Sequence, residues 1–326
     1  MSASACPACG RGAAALIERL DVAAQHAFYA PADPALQQRL TAAAAPSALQ
    51  YAMLRCSHCG LEFSSPLRAP SGDWYRLVYQ TLDLYPAARW EFDAVLPAVQ
   101  PGQRLLEIGC GSGAFLEQCR LRGLDASGVD FSAHAIELCL ARGLRARQLD
   151  LAAPPGADLP ERVSHIAAFH VLEHLDRPQA LFEYARCLAL PVSHLWLSMP
   201  SDRRPSRRFG QSEFLDQPPH HMTRWTPAAL AAIGARHLWR LAEVRYEPLA
   251  MPLAVRWITI LSPSYRRWEA AGRLRNRSVE RGFRALIIPF ACLRWLAFRP
   301  PLSGHSMLAH FILEAGPSNP DGAGIF

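Results

Sequence analysis

Two cysteine pairs stand at metal-ligand spacing, Cys6-Pro-Ala-Cys9-Gly10 and Cys56-Ser-His-Cys59-Gly60. Each is C-x-x-C followed by glycine. Two thiolates three residues apart can face one ion, and the glycine lets the backbone turn tightly beneath them. One such pair could serve redox exchange, but two copies favour a tetrahedral Zn2+ held by Cys6, Cys9, Cys56 and Cys59. A four-thiolate site keeps no open coordination position, so its predicted role is structural. The other five cysteines, Cys110, Cys119, Cys139, Cys187 and Cys292, are scattered singly and read as small apolar side chains.

A second group of residues suits a nucleoside. Leu105-Leu106-Glu107-Ile108-Gly109-Cys110-Gly111-Ser112-Gly113 reads as a strand that ends, turns on glycines and opens a helix. Bare backbone there can approach a ligand closely, beside a helix N-terminus. Gly109-x-Gly111-x-x-Ala114 also satisfies a dinucleotide fingerprint, so the glycines alone leave the cofactor open. Three carboxylates narrow the choice. Glu107 would repel a pyrophosphate but orient a cationic amino-acid moiety. Asp130 follows the next strand, placed to accept from two ribose hydroxyls. Asp150 follows the third, placed to face an adenine amino group. Ribose, adenine and a zwitterionic tail without phosphates describe S-adenosylmethionine.

Apolar runs alternate with helical stretches from residue 101 onward, which predicts an α/β fold with a parallel sheet and helices on both faces. Strands are expected at 104–108, 126–129, 145–149, 166–169, 194–198, 241–246 and 306–313. Helices are expected at 114–122, 133–142, 178–188 and 227–233. Ahead of this, residues 1–70 form the zinc module, with short strands at 51–55 and 61–64 and a helical insert at 35–45. Residues 71–100 carry Trp74, Tyr75, Tyr79, Tyr85 and Trp90 at helical spacing, either as core or as a lid over a pocket. The main domain is expected at 101–250 and its last strand at 305–316. Between them, 251–304 is an insertion rich in Arg and Trp, containing the apolar run 285–293. Such a cationic amphipathic segment suits an anionic membrane surface; packing on its own domain or a dimer partner is the other reading. The tail 317–326 is expected to be disordered.

The chain has 326 residues and a net charge of +6, and all 34 of its basic residues are Arg. An apolar half of the sequence excludes a disordered chain, and no uncharged run is long enough to span a bilayer. The N-terminus lacks a signal-peptide pattern, which with the odd cysteine count predicts a cytoplasmic protein with reduced thiols, at most peripheral to the inner membrane face. Oligomeric state is not legible.

The segment Leu105–Glu247 resembles the class I S-adenosylmethionine-dependent methyltransferases. LLEIGCGSG is similar to their first motif, VDFS to their acidic second motif, and FHVLEHL (Phe169–Leu175) to their fourth-strand motif. The resemblance implies a Rossmann-like seven-stranded sheet, here with a small N-terminal zinc-ribbon-like module and a helical C-terminal insertion. Zinc knuckles ahead of such a domain are similar to bacterial sugar methyltransferases, although the additional C-terminal domain of those enzymes is not found. The segments His170-Val-Leu-Glu173-His174 and His220-His221-Met222-Thr223-Arg224-Trp225-Thr226 resemble the site of metal-dependent small-RNA 2′-O-methyltransferases. Glu173, His174 and His221 match that site, whereas His170 replaces its first glutamate. The resemblance implies a second divalent metal at His170, Glu173, His174 and His221. Without a metal, the same residues could handle the acceptor's proton as acid and base, or could cap the loop. The H-x-x-E-H string also occurs in inverted zinc peptidases, but there both histidines need one helix.

The leading reading is methyl transfer to a small molecule or glycan, with oxygen as acceptor and Glu173, His174 and His221 as catalytic candidates. Arg203, Arg204, Arg207 and Arg208 in the loop 201–210 could clamp a phosphate on the acceptor. An RNA methyltransferase is the alternative enzyme, disfavoured by the absence of an aromatic-interleaved RNA platform. A non-catalytic binding module on the same scaffold is the third reading.

Overall fold

The structure is a computed structural model and describes residues 5–31, 33–44, 49–81, 88–156, 159–208, 213–249, 251–260, 262–273, 277–298 and 303–313. The strands are β1 (Ala14–Asp21), β2 (Gln50–Cys56), β3 (Glu62–Ser65), β4 (Arg104–Ile108), β5 (Asp125–Asp130), β6 (Ala146–Gln148), β7 (Val163–Phe169), β8 (Ala189–Pro200), β9 (Thr223–Arg224), β10 (Trp239–Tyr246) and β11 (Ser306–Leu313). A seven-stranded sheet runs β10-β11-β8-β7-β4-β5-β6. Its pairings β4–β5, β4–β7, β5–β6 and β7–β8 are parallel. The order reverses beside β4, so β4 and β7 leave a crevice at their carboxyl ends, where this architecture binds ligands. Aromatic packing fixes the sheet's helical cover: Phe92 and Phe115 meet Phe169 of β7 at ring separations of 5.0 and 4.8 Å.

The expected positions of β4 and β11 and of the helix Pro178–Leu188 match the structure. β1 and the helix Val22–Tyr29 are additional to the elements expected from the sequence. A second sheet runs β1-β2-β3-β9, and β9 comes from the segment after β8. Glu62 pairs with Arg224 and Phe63 with Thr223, so the cysteine-rich sheet is completed by a piece of the main domain. The Ala35–Ala45 insert forms the helix Pro34–Ala44, whose Leu40 and Ala44 pack with Tyr29, Trp74, Leu77 and Val78. Two compact units emerge: Met1–Pro200 with Phe214–Arg245 and Met307–Phe326, and Ser201–Glu213 with Tyr246–Ser306. The second unit contains the helices Met251–Ile260, Pro263–Ala270 and Arg277–Phe298. The expected disordered tail and Tyr85 lie outside the described residues.

Stacked histidines cross the sheet. His165 on β7 lies 4.9 Å from His194 on β8, and His194 Nδ1 is 3.0 Å from His310 Nε2 on β11. Burial, helped by the neighbouring histidines, lowers His165 and His310 to about 4. Burial also brings His26 to about 4, and His26 Nε2 accepts the Trp74 indole N–H at 3.0 Å, which requires that nitrogen to be unprotonated. These folded values lie below the ordinary histidine value of about 6.5, so the unfolded chain binds more protons between the two. Stability should therefore fall as pH drops from about 6.5 towards 4, by on the order of 1–3 kcal/mol per buried histidine. Urea melts across that range should show the slope, and His165→Gln should reduce it.

Candidate functional site

Gly10 and Gly60 take φ of +75° and +73°, closing the two cysteine turns. The Gly10 N–H donates to the Cys6 carbonyl at 2.8 Å and the Gly60 N–H to the Cys56 carbonyl at 3.1 Å. Cys6 Sγ lies 3.6 Å from Cys59 Sγ, and Cys9 Sγ lies 3.6 Å from Cys56 Sγ. All four sulfurs fall within 4.8 Å of one another. Sulfurs bound at about 2.3 Å to one tetrahedral centre lie roughly 3.8 Å apart, close to the two 3.6 Å separations. Burial raises the Cys6 thiol and takes Cys59 to about 11. Burial opposes ionisation of Cys56 too, but the N–H groups of Cys59 and His58 bring it down to about 7. A divalent cation at the centre would let all four ionise together, so the donor set fits Zn2+. The turns are tied to the helix Pro227–Arg236: Thr226 Oγ1 donates to the Cys59 carbonyl at 2.8 Å, and Arg236 Nη1 donates to the Ala8 carbonyl at 2.8 Å.

At the end of β4, the N–H groups of Gly109 and Cys110 both donate to the Val129 carbonyl, at 2.8 and 3.1 Å. Gly109, Gly111 and Gly113 have φ of +76°, +50° and +80°. A Cβ at Gly109 would lie 2.4 Å from Val171 Cγ2, and one at Gly113 2.5 Å from Leu144 Cδ1. At these two positions glycine is therefore demanded by the loop's conformation and by neighbouring side chains. Asp130 fixes the loop from β5: its Oδ2 accepts the Gly111 N–H and its Oδ1 the Ser132 N–H, both at 2.9 Å. Burial raises the Asp130 carboxyl, against the pull of those N–H groups. Glu107 is buried on β4, and its Oε2 is enclosed without a hydrogen-bond partner among the described residues. Burial first, then the Cys139 thiol and Asp130, raise the Glu107 carboxyl well above its ordinary range. An enclosed acid with an unused oxygen beside a glycine turn fits the cationic amino-acid end of S-adenosylmethionine. Asp150 is exposed after β6, its Oδ1 accepting the Ala152 N–H at 2.8 Å. Glu107, the glycine loop, Asp130 and Asp150 thus share the carboxyl edge of β4, β5 and β6.

Beyond β7 the chain turns at His170, which has φ of +55°. His170 Nδ1 lies 3.0 Å from Glu173 Oε1 and its Nε2 3.3 Å from Glu91 Oε1. Burial disfavours the imidazolium, but the two carboxylates prevail and raise the His170 value. Burial likewise opposes ionisation of Glu173, which His170 nevertheless holds at about 2. Both ring nitrogens of His170 are committed to carboxylates, and Glu173 faces His170. The four residues expected to share a second metal therefore do not converge as one set. His174 and His221 instead meet His220, with ring centroids 5.1 Å (His174–His220), 4.7 Å (His174–His221) and 5.0 Å (His220–His221) apart. Burial, with His221 nearby, lowers His174 to about 4.

Sequence reasoning did not place His220, Asp216, Glu91 or Tyr75 in the site. His220 stood in the quoted motif, and Tyr75 in the aromatic stripe. Trp74 in that stripe is core, fully buried, whereas the Tyr75 ring lies 5.6 Å from His174 and 6.1 Å from Phe131, the residue after Asp130. The Tyr75 ring thus packs against His174 on one side and Phe131 on the other. The basic loop differs from expectation at Arg204, which is buried on the Ser201 carbonyl at 2.8 Å and on Glu213 at 3.2 Å. Arg204 is therefore no free arm for a phosphate.

Residues 83–239, just under half of the chain, match the family described as methyltransferase domain. A ubiquinone biosynthesis O-methyltransferase of Paraburkholderia xenovorans is 26% identical over 164 residues, covering 46% of this chain and 71% of the relative. The protein of that name from Bordetella parapertussis is 26% identical over 102 residues, and the chain spans only 42% of that relative's length. A crystal structure of an S-adenosylmethionine-dependent methyltransferase from Archaeoglobus fulgidus aligns with 73% of this chain and 99% of its own, at 20% identity and a TM-score of 0.45. The family match covers the glycine loop, Asp130 and the β7 turn, on a sheet ordered β10-β11-β8-β7-β4-β5-β6. That match and that sheet order support a class I S-adenosylmethionine-dependent methyltransferase domain within this chain, and the N-terminal cluster Cys6, Cys9, Cys56 and Cys59 fits a zinc-ribbon-like module.

Proposed function

We propose that the protein methylates an oxygen of a small-molecule or glycan acceptor, using S-adenosylmethionine. The observation that carries this reading is the enclosed, unpartnered oxygen of Glu107 beside the glycine loop that Asp130 pins. When bound, the cofactor supplies a methyl group already activated on a sulfonium, so the chain's own work is orientation and handling of the acceptor's proton. Glu107 holds the amino-acid end, Asp130 the ribose and Asp150 the adenine. The acceptor enters on the Tyr75 side, against His174 and His221, while Glu173 keeps the β7 turn in place through His170. The relatives named as O-methyltransferases support oxygen as the accepting atom.

We place the protein in the cytoplasm, in line with its unpaired thiols. No helix among the described residues is long and apolar enough to cross a membrane. The helix Arg277–Phe298 exposes Leu286, Phe290 and Leu293, at 71%, 70% and 64%. That outward apolar stripe, close to Arg281 and Arg284, supports a peripheral contact with an anionic membrane.

Calorimetry tests the cofactor reading. Binding a cation should ionise Glu107, so S-adenosylmethionine should bind with proton release. Because the free carboxyl is raised, affinity should increase with pH. Glu107→Gln should weaken binding about 10–100-fold, the loss of one charge-assisted hydrogen bond of ~1.5–3 kcal/mol, and should diminish the proton release. Asp130→Ala should abolish binding without changing the zinc content. No heat of binding in the folded wild-type protein would refute the reading. A tritiated-methyl screen of lipid, glycan and RNA fractions tests the acceptor, and label in RNA alone would overturn a small-molecule or glycan substrate.

A further inference from the structure

We propose that His174, His220 and His221 form a second metal centre, a three-imidazole site for a borderline divalent cation such as Zn2+ or Co2+, on the acceptor side of the cofactor crevice. One ring nitrogen from each residue lies within 4.8 Å of the other two. Each ring is also held from behind. His174 Nδ1 lies 2.7 Å from the His220 carbonyl, His221 Nδ1 lies 3.2 Å from Asp216 Oδ1, and His220 Nδ1 lies 3.0 Å from the Tyr29 hydroxyl. A carbonyl and a carboxylate only accept, so His174 and His221 carry their protons on Nδ1 and keep Nε2 as a lone-pair donor. Metal-binding imidazoles are oriented in this way, by a carboxylate or carbonyl on the far nitrogen. Asp216 is itself anchored, its Oδ2 lying 3.0 Å from Arg224 Nε.

Three nitrogen ligands leave a fourth position open, the hallmark of a catalytic site. Close by, the Tyr75 hydroxyl is enclosed and has no hydrogen-bond partner among the described residues. Its ring joins His174 to Phe131 on the cofactor side. An acceptor hydroxyl bound at the open position loses its proton to water more readily. Its oxygen then forms the O–CH3 bond as the CH3–S bond breaks, and that electron pair stays on sulfur. The imidazole set is softer than the glutamate-bearing set expected from the sequence, which disfavours Mg2+. The inference rests on the proposed function only for the identity of the acceptor side, since metal binding is measured without substrate.

Co2+ loading of the full-length protein, exchanged for zinc without passing through a metal-free state, tests it. Two equivalents should bind, one with thiolate-to-cobalt charge-transfer absorption and one with ligand-field bands alone. His220→Ala should lose the second equivalent and keep the first. Asp216→Asn should weaken only the second, by about 10–100-fold. If His220→Ala also loses the thiolate signature, the variant has lost its fold and His174→Gln, at a half-buried position, decides instead. A single equivalent with the thiolate signature, or a second that survives His174→Gln, overturns the proposal. S-adenosylmethionine binding on the same samples reports separately on the proposed function.

Discussion

Cys59→Ser, or removal of zinc by a chelator, should unfold the N-terminal sheet and disturb the histidines of the main domain. The sheet β1-β2-β3-β9 is small, and Cys56 closes β2 while Cys59 leads into β3. Metal binding contributes directly to the folding of such a module, and its loss should cost several kcal/mol. The disturbance should not stop there. The Ser64 N–H donates to the Met222 carbonyl at 2.9 Å, and the Met222 N–H donates to the Glu173 carbonyl at 2.7 Å. Met222 directly follows His221, so the module's third strand, the histidine pair and the β7 turn form one hydrogen-bonded chain. Hydrogen exchange with and without chelator should show protection lost at 50–65 and 220–226, with β4, β5 and β7 retained. Equal protection in both states would show that the four thiols hold no structural metal.

The glycine loop, the strands that follow it and the four cysteines were legible in the sequence because each depends on local pattern. Alternation of apolar strands with helices fixed the positions of Glu107, Asp130 and Asp150 at strand ends. Cysteine spacing alone put the four thiols on one ion, and their sulfurs lie 3.6 Å apart across 47 and 53 positions. The acceptor side was less legible because it is assembled from distant segments. Glu91 reaches His170 from 79 positions away, and Tyr29 reaches His220 from 191. Periodicity carries no information about such pairs. The turn at His170 also mattered: a non-glycine residue at φ of +55° sends its ring to Glu91 and Glu173, which removed it from the expected metal set. β1 escaped notice because its side chains are mostly exposed or half-buried, so its alternation is weak.

Gly109→Ala should cripple the cofactor loop, and a double substitution should show why. Two costs act at this position. The φ of +76° is strained for any residue with a Cβ, at about 1–2 kcal/mol. The added methyl would also lie 2.4 Å from Val171 Cγ2, so the β7 turn or the loop must shift. Together these should destabilise the protein by about 2–4 kcal/mol and abolish measurable S-adenosylmethionine binding. Gly123→Ala isolates the first cost, because Gly123 has φ of +67° and nothing lies within 4 Å of its added Cβ. That variant should lose only about 1–2 kcal/mol and bind cofactor normally. Val171→Ala removes the colliding methyl. Gly109→Ala/Val171→Ala should therefore be more stable than the sum of the single changes, with a coupling of about 0.5–3 kcal/mol, while keeping the φ cost. Urea melts of the four variants measure the coupling. Strict additivity would mean that Gly109 is required by backbone conformation alone. A positive coupling would show that the first glycine is also set by the turn carrying His170 and Glu173, linking the cofactor loop to the acceptor side through one steric contact.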